Sequence, residues 1–291
     1  DVYKRQVCTF AITPCAKSIA QDASSQPLFE YSAINHPVMG KRGMVASHNA
    51  LSSEIAAEIL AKGGNAIDAG AALGFALAVT LPRAGNIGGG GFMLVHVAEL
   101  DKTIAIDFRE TAPAAARQDM FFDAAGNVAM NETYRFSHQS SAVPGSVAGL
   151  AHIVEEYGTL SLAEVLEPSI RLARDGIRVT YDLADDLARS QRLKNNPASL
   201  RKFYKADGTN YEVGELFKQP DLAWTLSEIA EYGVEAFYSG SVAKKIVADM
   251  EAHNGLITME DLANYNVVER EPVRGTFPVS YTHLTLPTNV A

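Results

Sequence analysis

The sequence predicts a layered α/β fold, and three observations carry that expectation. Two apolar strand runs, Phe92–Ala98 and Thr103–Phe108, flank a polar turn at Glu99–Lys102. The segment before them, Ala66–Thr80, is apolar on nearly every face, as a buried helix is. A series of amphipathic helical stretches follows. A strand pair beneath buried helices, with an outer helical layer, is one of the stable layer architectures.

Each element has a local reason. Gly43–Ser47 is a short apolar strand candidate. Ala50–Lys62 places Leu51, Ile55 and Ile59 at i, i+4 and i+8; Asn49 can cap its start, and Gly63-Gly64 stops it. In Ala66–Thr80 the four-residue spacing of Gly70 and Gly74 allows another backbone to come close. At fifteen residues that helix is too short for a membrane span. The hairpin's two apolar runs predict a sheet covered on both faces. Further helices are expected at 145–157, 161–174, 181–191, 221–232 and 239–253, with a short one near 258–264. Gly158, Gly176, Gly233 and Gly255 fall where these helices end.

Composition bounds the function. The chain has 291 residues, of which 47% are hydrophobic and 20% charged, which excludes wholesale disorder. The formal net charge of −9 argues against nucleic-acid or anionic-membrane partners, which need clustered Lys and Arg. Two cysteines, Cys8 and Cys15, cannot build a disulfide framework for a chain of this length. The seven histidines form no HxxxH or HExxH pair, so no metal is expected; only a site assembled in space stays open. No cofactor motif is complete. Lys4 and Arg5, the apolar run Val7–Ile19 and the small residues Ser18-Ile19-Ala20 resemble an export-signal remnant over residues 1–20.

Two segments invite a chemical reading. Gly85 and Gly88–Gly91 lack the lysine of a phosphate loop, and a strand follows where a helix is required. Consecutive glycines permit positive φ and open access to backbone amides, so they could line a pocket or serve as a tight entry into a buried strand. Arg109 stands at the C-terminal end of a buried strand, where its charge needs a partner. Its fork can bind a substrate carboxylate bidentately. The structural alternative is a pair with Asp107, Glu110 or a distant acid. Asn86 and Asp107 are read as structural, and His48 and His96 as isolated histidines. Trp224 is read as packing, and Glu155-Glu156 and Asp185-Asp186 as solvated helix faces.

Taken together, the segments resemble the γ-glutamyltranspeptidase (glutathione hydrolase) family. The carriers are Gly43-Met-Val-Ala46, Glu58-Ile-Leu-Ala-Lys-Gly-Gly-Asn-Ala-Ile-Asp-Ala69 and Ala76-Leu-Ala-Val-Thr-Leu-Pro82. They continue with Ala84-Gly-Asn-Ile-Gly-Gly-Gly-Gly-Phe-Met93, Ile106-Asp-Phe-Arg-Glu-Thr-Ala-Pro113 and Val143-Pro-Gly-Ser-Val-Ala-Gly149. Leu172–Gly176, Phe237–Gly240 and Gly255–Ala263 complete the series. The resemblance runs from about His36 to Phe277.

That resemblance implies an N-terminal-nucleophile hydrolase with an αββα sandwich, here incomplete and with added outer helices. The precursor cuts itself, and the new N-terminal threonine of the small subunit attacks the γ-glutamyl amide, with its own amine as base. An acyl-enzyme passes to water or to an amino-acid or peptide acceptor. Glutathione and other γ-glutamyl compounds are the implied substrates and the small subunit is the implied partner; the export-signal reading of residues 1–20 makes a periplasmic or secreted location the expected one. The resemblance also assigns Arg109 to the glutamyl α-carboxylate.

No Thr-Thr-His start occurs in the chain, and Tyr281-Thr282-His283 sits too early to serve. The nucleophile is therefore expected beyond this sequence, and no catalytic residue is expected within it. Asp1–Gln6 and Pro278–Ala291 read as non-native ends, which leaves 36–277 as a partial large-subunit domain. Such a chain is expected to be inactive alone and to carry unpaired strand edges and uncovered apolar surface. Two alternatives stay open: a related glutaryl or cephalosporin-type acylase, and a degenerate relative without chemistry.

Overall fold

In the computed structural model the described residues are 39–123, 125–128 and 136–275. The export-signal segment and the tail from 278 lie outside them. The chain divides into two units, Asp1–Met44 and Val45–Ala291. The described part of the first, residues 39–44, has no regular structure. All elements below belong to the second.

Helices α1 (Ala50–Ala61) and α2 (Ala66–Thr80) form as their sequences dictate. Asn49 accepts the Ser52 amide at 3.2 Å to cap α1, and Gly63 leaves the helix at φ +99°. Asn65 and Asp68 close a reciprocal capping box on α2. The hairpin follows as β1 (Gly91–Val97) and β2 (Lys102–Phe108), antiparallel from Gly91↔Phe108 to Val97↔Lys102. Its turn is a 3-10 stretch, Ala98–Leu100, closed by Asp101 at φ +45°.

Helices α3 (Ser146–Tyr157) and α4 (Leu162–Asp175) come next. A minimal strand pair, β3 (Ile177–Arg178) with β4 (Leu216–Phe217), brackets helices α5 (Tyr181–Arg189), α6 (Gln191–Asn195) and α7 (Pro197–Phe203). Then follow α8 (Pro220–Tyr232), α9 (Glu235–Tyr238), α10 (Ser241–Ala252), α11 (Met259–Ala263) and β5 (Val268–Arg270). Strand β5 adds to β2 antiparallel, giving the order β1-β2-β5.

The layers are set by burial. Helix α2 packs against α1, α3 and α4, α4 packs against α8, and α3 lies on β1 and β2. Val95, Ile104, Ile106 and Phe108 point from the sheet into this helical layer and are buried. Each such side chain contributes roughly 1.5–3 kcal/mol when fully withdrawn from water.

Among the described residues the opposite face is open, which corrects the expectation of a sheet covered on both sides and matches the expectation of uncovered apolar surface on a partial chain. Phe92 and Leu94 are 68% and 69% exposed, and Val268 is 41% exposed. Apolar residues at both parities of a strand signal two buried faces only when both layers are present. Three other expectations also change. Gly43–Ser47 is irregular, because the apolar run finds no strand to pair with among the described residues. Nothing approaches Gly70, and at Gly74 it is the Leu150 side chain of α3, not a backbone, that fills the gap. The stretch expected as one helix over 181–191 ends at Arg189, and Ser190 starts a second.

One buried carboxylate ties the helical layer together. Asp68 on α2 has no exposed surface. It accepts from the Asn65 amide at 2.8 Å and, across the fold, from the Thr159 amide at 3.0 Å and the Thr159 hydroxyl at 2.7 Å. Asp68→Ala leaves these donors unsatisfied, and the expected loss is about 3 kcal/mol in urea unfolding. A loss under about 1 kcal/mol would mean that other contacts hold the 158–161 turn.

Candidate functional site

The site is built where β2 leaves the sheet. Phe108 ends the strand, and Arg109 and Glu110 follow without regular structure. Beside them the glycine run enters β1, and helix α3 begins at Ser146. These three backbones touch. A Cβ on Gly90 would lie 2.5 Å from the Phe108 carbonyl oxygen and 2.7 Å from the Glu110 nitrogen. Cβ atoms on Gly145 and Gly149 would overlap the Phe108 carbonyl and ring respectively. No glycine of 88–91 has positive φ. The run therefore supplies clearance and not unusual dihedrals, and it both lines a cavity and feeds a strand.

The start of α3 is unusual in its caps. Its N-cap, Gly145, has no side chain to offer. The Gly89 carbonyl accepts the Gly145 and Ser146 amides at 2.8 and 2.9 Å. The Tyr238 hydroxyl accepts the Ala148 amide at 3.1 Å and donates to the Pro144 carbonyl at 2.9 Å. Orphan amides of a first turn are thus satisfied by the glycine loop and by a tyrosine of α9. Burial pushes the Tyr238 hydroxyl well above its ordinary titration range, so it remains a neutral donor.

A cavity of about 400 Å³ opens at this junction, lined by Gly89–Gly91, Asn86, Phe108, Glu110, Ser146 and the α2 face around Gly74. Arg109 stands beside the wall. Its side chain is 67% exposed, and Nε lies 3.1 Å from Glu110 Oε2. That contact is an ion contact without hydrogen-bond alignment, and Glu110 Oε2 is buried with no hydrogen-bond donor.

Asp107, the other acid weighed as a partner, is taken elsewhere. It accepts Arg270 Nη2 at 2.8 Å and Nε at 2.9 Å, and the Arg109 amide at 3.1 Å. Tyr265 secures the segment from the other side, its hydroxyl donating to the Arg109 carbonyl at 3.0 Å. Burial pushes the Tyr265 hydroxyl up to about 12.

The sequence singled out Arg109 and placed it on a buried strand. The structure corrects that placement: the residue is one past the strand and largely in solvent. Asn86 joins the cavity wall. Trp224, 37% exposed, sits under Lys245, whose Nζ is 5.0 Å from the ring centroid. His48 lines a separate cavity of about 310 Å³ that also holds Arg83, itself paired with Asp186. Glu110, named among the acids Arg109 could pair with, is its ion-contact partner, whereas Ser146, Tyr238 and Tyr265 were not singled out. Glu110 carried a signal, as the acid adjoining Arg109; the tyrosines reach the site from 90 residues or more away and carried none.

This half of a layered αββα sandwich, helices over an antiparallel hairpin with a glycine-lined cavity at the strand exit, has the architecture of N-terminal-nucleophile hydrolases. The comparisons narrow that class. A sequence profile described as "Gamma-glutamyltranspeptidase" matches residues 52–291, and the chain belongs to that family.

The chain is 43% identical over 280 residues to the "Glutathione hydrolase proenzyme" of Escherichia coli, covering 94% of this chain and 48% of that protein. It spans about half the length of the curated relatives it matches. The solved γ-glutamyltranspeptidase of Helicobacter pylori superposes with a TM-score of 0.80 at 43% identity, covering 83% of this chain and 69% of that one. The cephalosporin acylase of Bacillus halodurans superposes at 0.64 with 30% identity, covering 82% and 46%.

Two outcomes test the construction. Gly90→Ala meets backbone atoms that cannot yield, and it is expected to cost about 1–3 kcal/mol in urea unfolding, where an unchanged midpoint would refute the close approach. The Asp107 carboxyl is held below the ordinary 3.8, first by the Arg109 amide and then by Arg270. Its bonds therefore stabilise the fold fully above its unfolded pKa, and that support is lost as pH falls through the lower folded value. In Arg270→Ala the Asp107 side-chain carbon resonances should titrate at higher pH. An unmoved titration would assign the effect to the Arg109 amide alone.

Proposed function

We propose that this chain is the large-subunit part of a γ-glutamyltransferase or glutathione hydrolase, and that Arg109 binds the α-carboxylate of the γ-glutamyl donor. One observation carries the residue assignment: the Arg109 side chain is mostly solvated next to Glu110 of the cavity wall, its one ion contact among the described residues. An exposed pair of this kind contributes little to stability, so its rearrangement toward a substrate carboxylate costs little. A planar fork and a carboxylate then make two charge-assisted hydrogen bonds.

The reaction needs a nucleophile from outside this sequence. In the proposed scheme a small-subunit threonine hydroxyl adds to the γ-carbonyl and loses its proton to the threonine's own amine. The leaving amine departs with that proton. Water or an amino-acid or peptide acceptor then takes the glutamyl group. Glutathione and other γ-glutamyl compounds are the substrates of this reading, supported by the names of the relatives. The open sheet face with Phe92, Leu94 and Val268 supports a small subunit as the covering layer. The domain bounds 36–277 and a periplasmic or secreted location belong to the same proposal. No helix among the described residues is long and apolar enough to cross a membrane.

The similarity to a cephalosporin acylase favours a second reading, a glutaryl-type acylase. Substrates separate the two. The complete precursor, rebuilt from the adjoining gene sequence, is expected to hydrolyse a γ-glutamyl anilide faster than the glutaryl anilide, which lacks the ammonium group. The reverse order supports the acylase.

Arg109→Ala should lower kcat/KM for the γ-glutamyl anilide by about 100- to 1000-fold, the loss of two charge-assisted hydrogen bonds. The same change should leave the 4-aminobutanoyl anilide, which has no carboxylate, within about threefold. Equal losses on both would remove Arg109 from carboxylate recognition. The present chain alone is expected to give no turnover.

A further inference from the structure

Three side chains remote from the cavity in sequence and wall converge at the end of α10. Asp249 and His253 are four residues apart and share one helical face. His138 arrives from the 3-10 turn His138–Ser140, 111 residues away from Asp249. His138 Nε2 lies 2.9 Å from Asp249 Oδ2. His253 Nδ1 lies 3.3 Å from Asp249 Oδ1 and 2.9 Å from the Asp249 carbonyl. The two imidazoles stack with centroids 4.4 Å apart and 9° between planes.

The backbone around them is arranged for this approach. Asn254, at φ +56°, turns the chain out of the helix, and the Gly255 amide returns to the Met250 carbonyl at 2.7 Å. A Cβ on Gly255 would lie 3.1 Å from the His138 Cβ and would overlap the Met250 sulfur. A bare glycine here lets the His138 turn sit against the end of the helix.

From this geometry we infer that His138, Asp249 and His253 form a binding site for a divalent transition-metal ion, zinc being the probe of choice. One ligand atom from each residue lies within 4.8 Å of the others. With metal–ligand bonds of about 2.0–2.1 Å, donors of a tetrahedral zinc site stand about 3.3 Å apart, so the widest pair closes by at most about 1.5 Å. Side chains that are 30%, 61% and 54% exposed have room for such rotations. The stacked rings splay as the ion enters, because both ring planes must then point at it.

Two imidazoles and one carboxylate suit zinc and its neighbours, whereas calcium and magnesium take all-oxygen sets. Water completes the coordination. The carbonyls at the helix C-terminus add negative partial charge at the same end. The ion takes the place of the proton between His138 and Asp249, which passes to solvent. The bound ion would staple the His138 turn to α10. That turn leads directly into Val143, which bridges to Thr111 just beyond Glu110.

The sequence expectation of no metal rested on the lack of paired histidines. The pair that mattered was Asp249 with His253, and its third member was visible only in space.

Tag-free chain titrated with zinc against a chromogenic chelator tests this, with dialysis giving the stoichiometry. One zinc per chain is expected. His138→Ala and His253→Ala should each weaken binding by at least about tenfold, while His48→Ala and His96→Ala, at exposed positions elsewhere, leave it unchanged. Zinc should raise the thermal midpoint of the parent chain and of these two controls, but not that of His253→Ala. Midpoints without zinc separate a ligand lost from a fold lost. Undiminished binding in His253→Ala, binding lost in the controls, or no zinc retained would each overturn the site. Calcium matching zinc in the thermal shift would overturn the transition-metal assignment.

Discussion

The structure around the cavity depends on one steric constraint, the backbone-to-backbone approach of three segments at Phe108. The carbonyl and ring of Phe108 occupy the space that Cβ atoms of Gly90, Gly145 and Gly149 would fill. No dihedral in the run from 88 to 91 demands glycine, yet a methyl group at these positions would force the strand exit, the glycine loop and helix α3 apart. Once they are together, the loop's Gly89 carbonyl caps α3, and the helix in turn roofs the hairpin. Arg109 and Glu110 follow directly on this packed strand exit, so an exposed cation stands at a defined point.

Second to this constraint is the division of labour among the charges near the strand exit. Asp107 and Arg270 form the fixed pair across β2 and β5, and Asp107 also holds the Arg109 amide. The backbone of Arg109 is thereby anchored twice, through its amide to Asp107 and through its carbonyl to Tyr265. Among the described residues its side chain contacts only Glu110 as an ion partner, and the buried Oε2 of Glu110 lacks an aligned donor. An anchored backbone with a solvated guanidinium suits the carboxylate binding proposed for Arg109, since the entropy of placing the residue is lost on folding and not on binding.

Much of this was legible in the sequence, and what was not has identifiable causes. The caps at Asn49 and Asn65, the glycine ends at 158, 176 and 233, and the hairpin followed from local chemistry, which tertiary structure reinforced. Gly43–Ser47 failed as a strand because strand character needs a partner that periodicity cannot supply. Strand β5 was missed for the converse reason: Val268, Glu269 and Arg270 are all exposed, and only pairing with β2 makes them a strand. At the site, Arg109 was identifiable from its segment, but its surroundings were not. Tyr238 of α9 and Tyr265, in the irregular segment after α11, stack at 5.7 Å at the glycine junction, a juxtaposition with no sequence period.

The same logic explains the one large disagreement about layers. An apolar alternation on both parities of β1 reads as a doubly covered sheet, and in the described residues only the Val95 side is covered. Leaving Phe92 and Leu94 in water forfeits roughly 1.5–3 kcal/mol for each, relative to full burial. A sequence that keeps both, beside an open β1 edge, is matched to a second layer on that face. The relatives, about twice this chain's length, offer the material for one. The apolar residues on that face are therefore the part of the sequence pattern that the helical layer on the Val95 side does not account for.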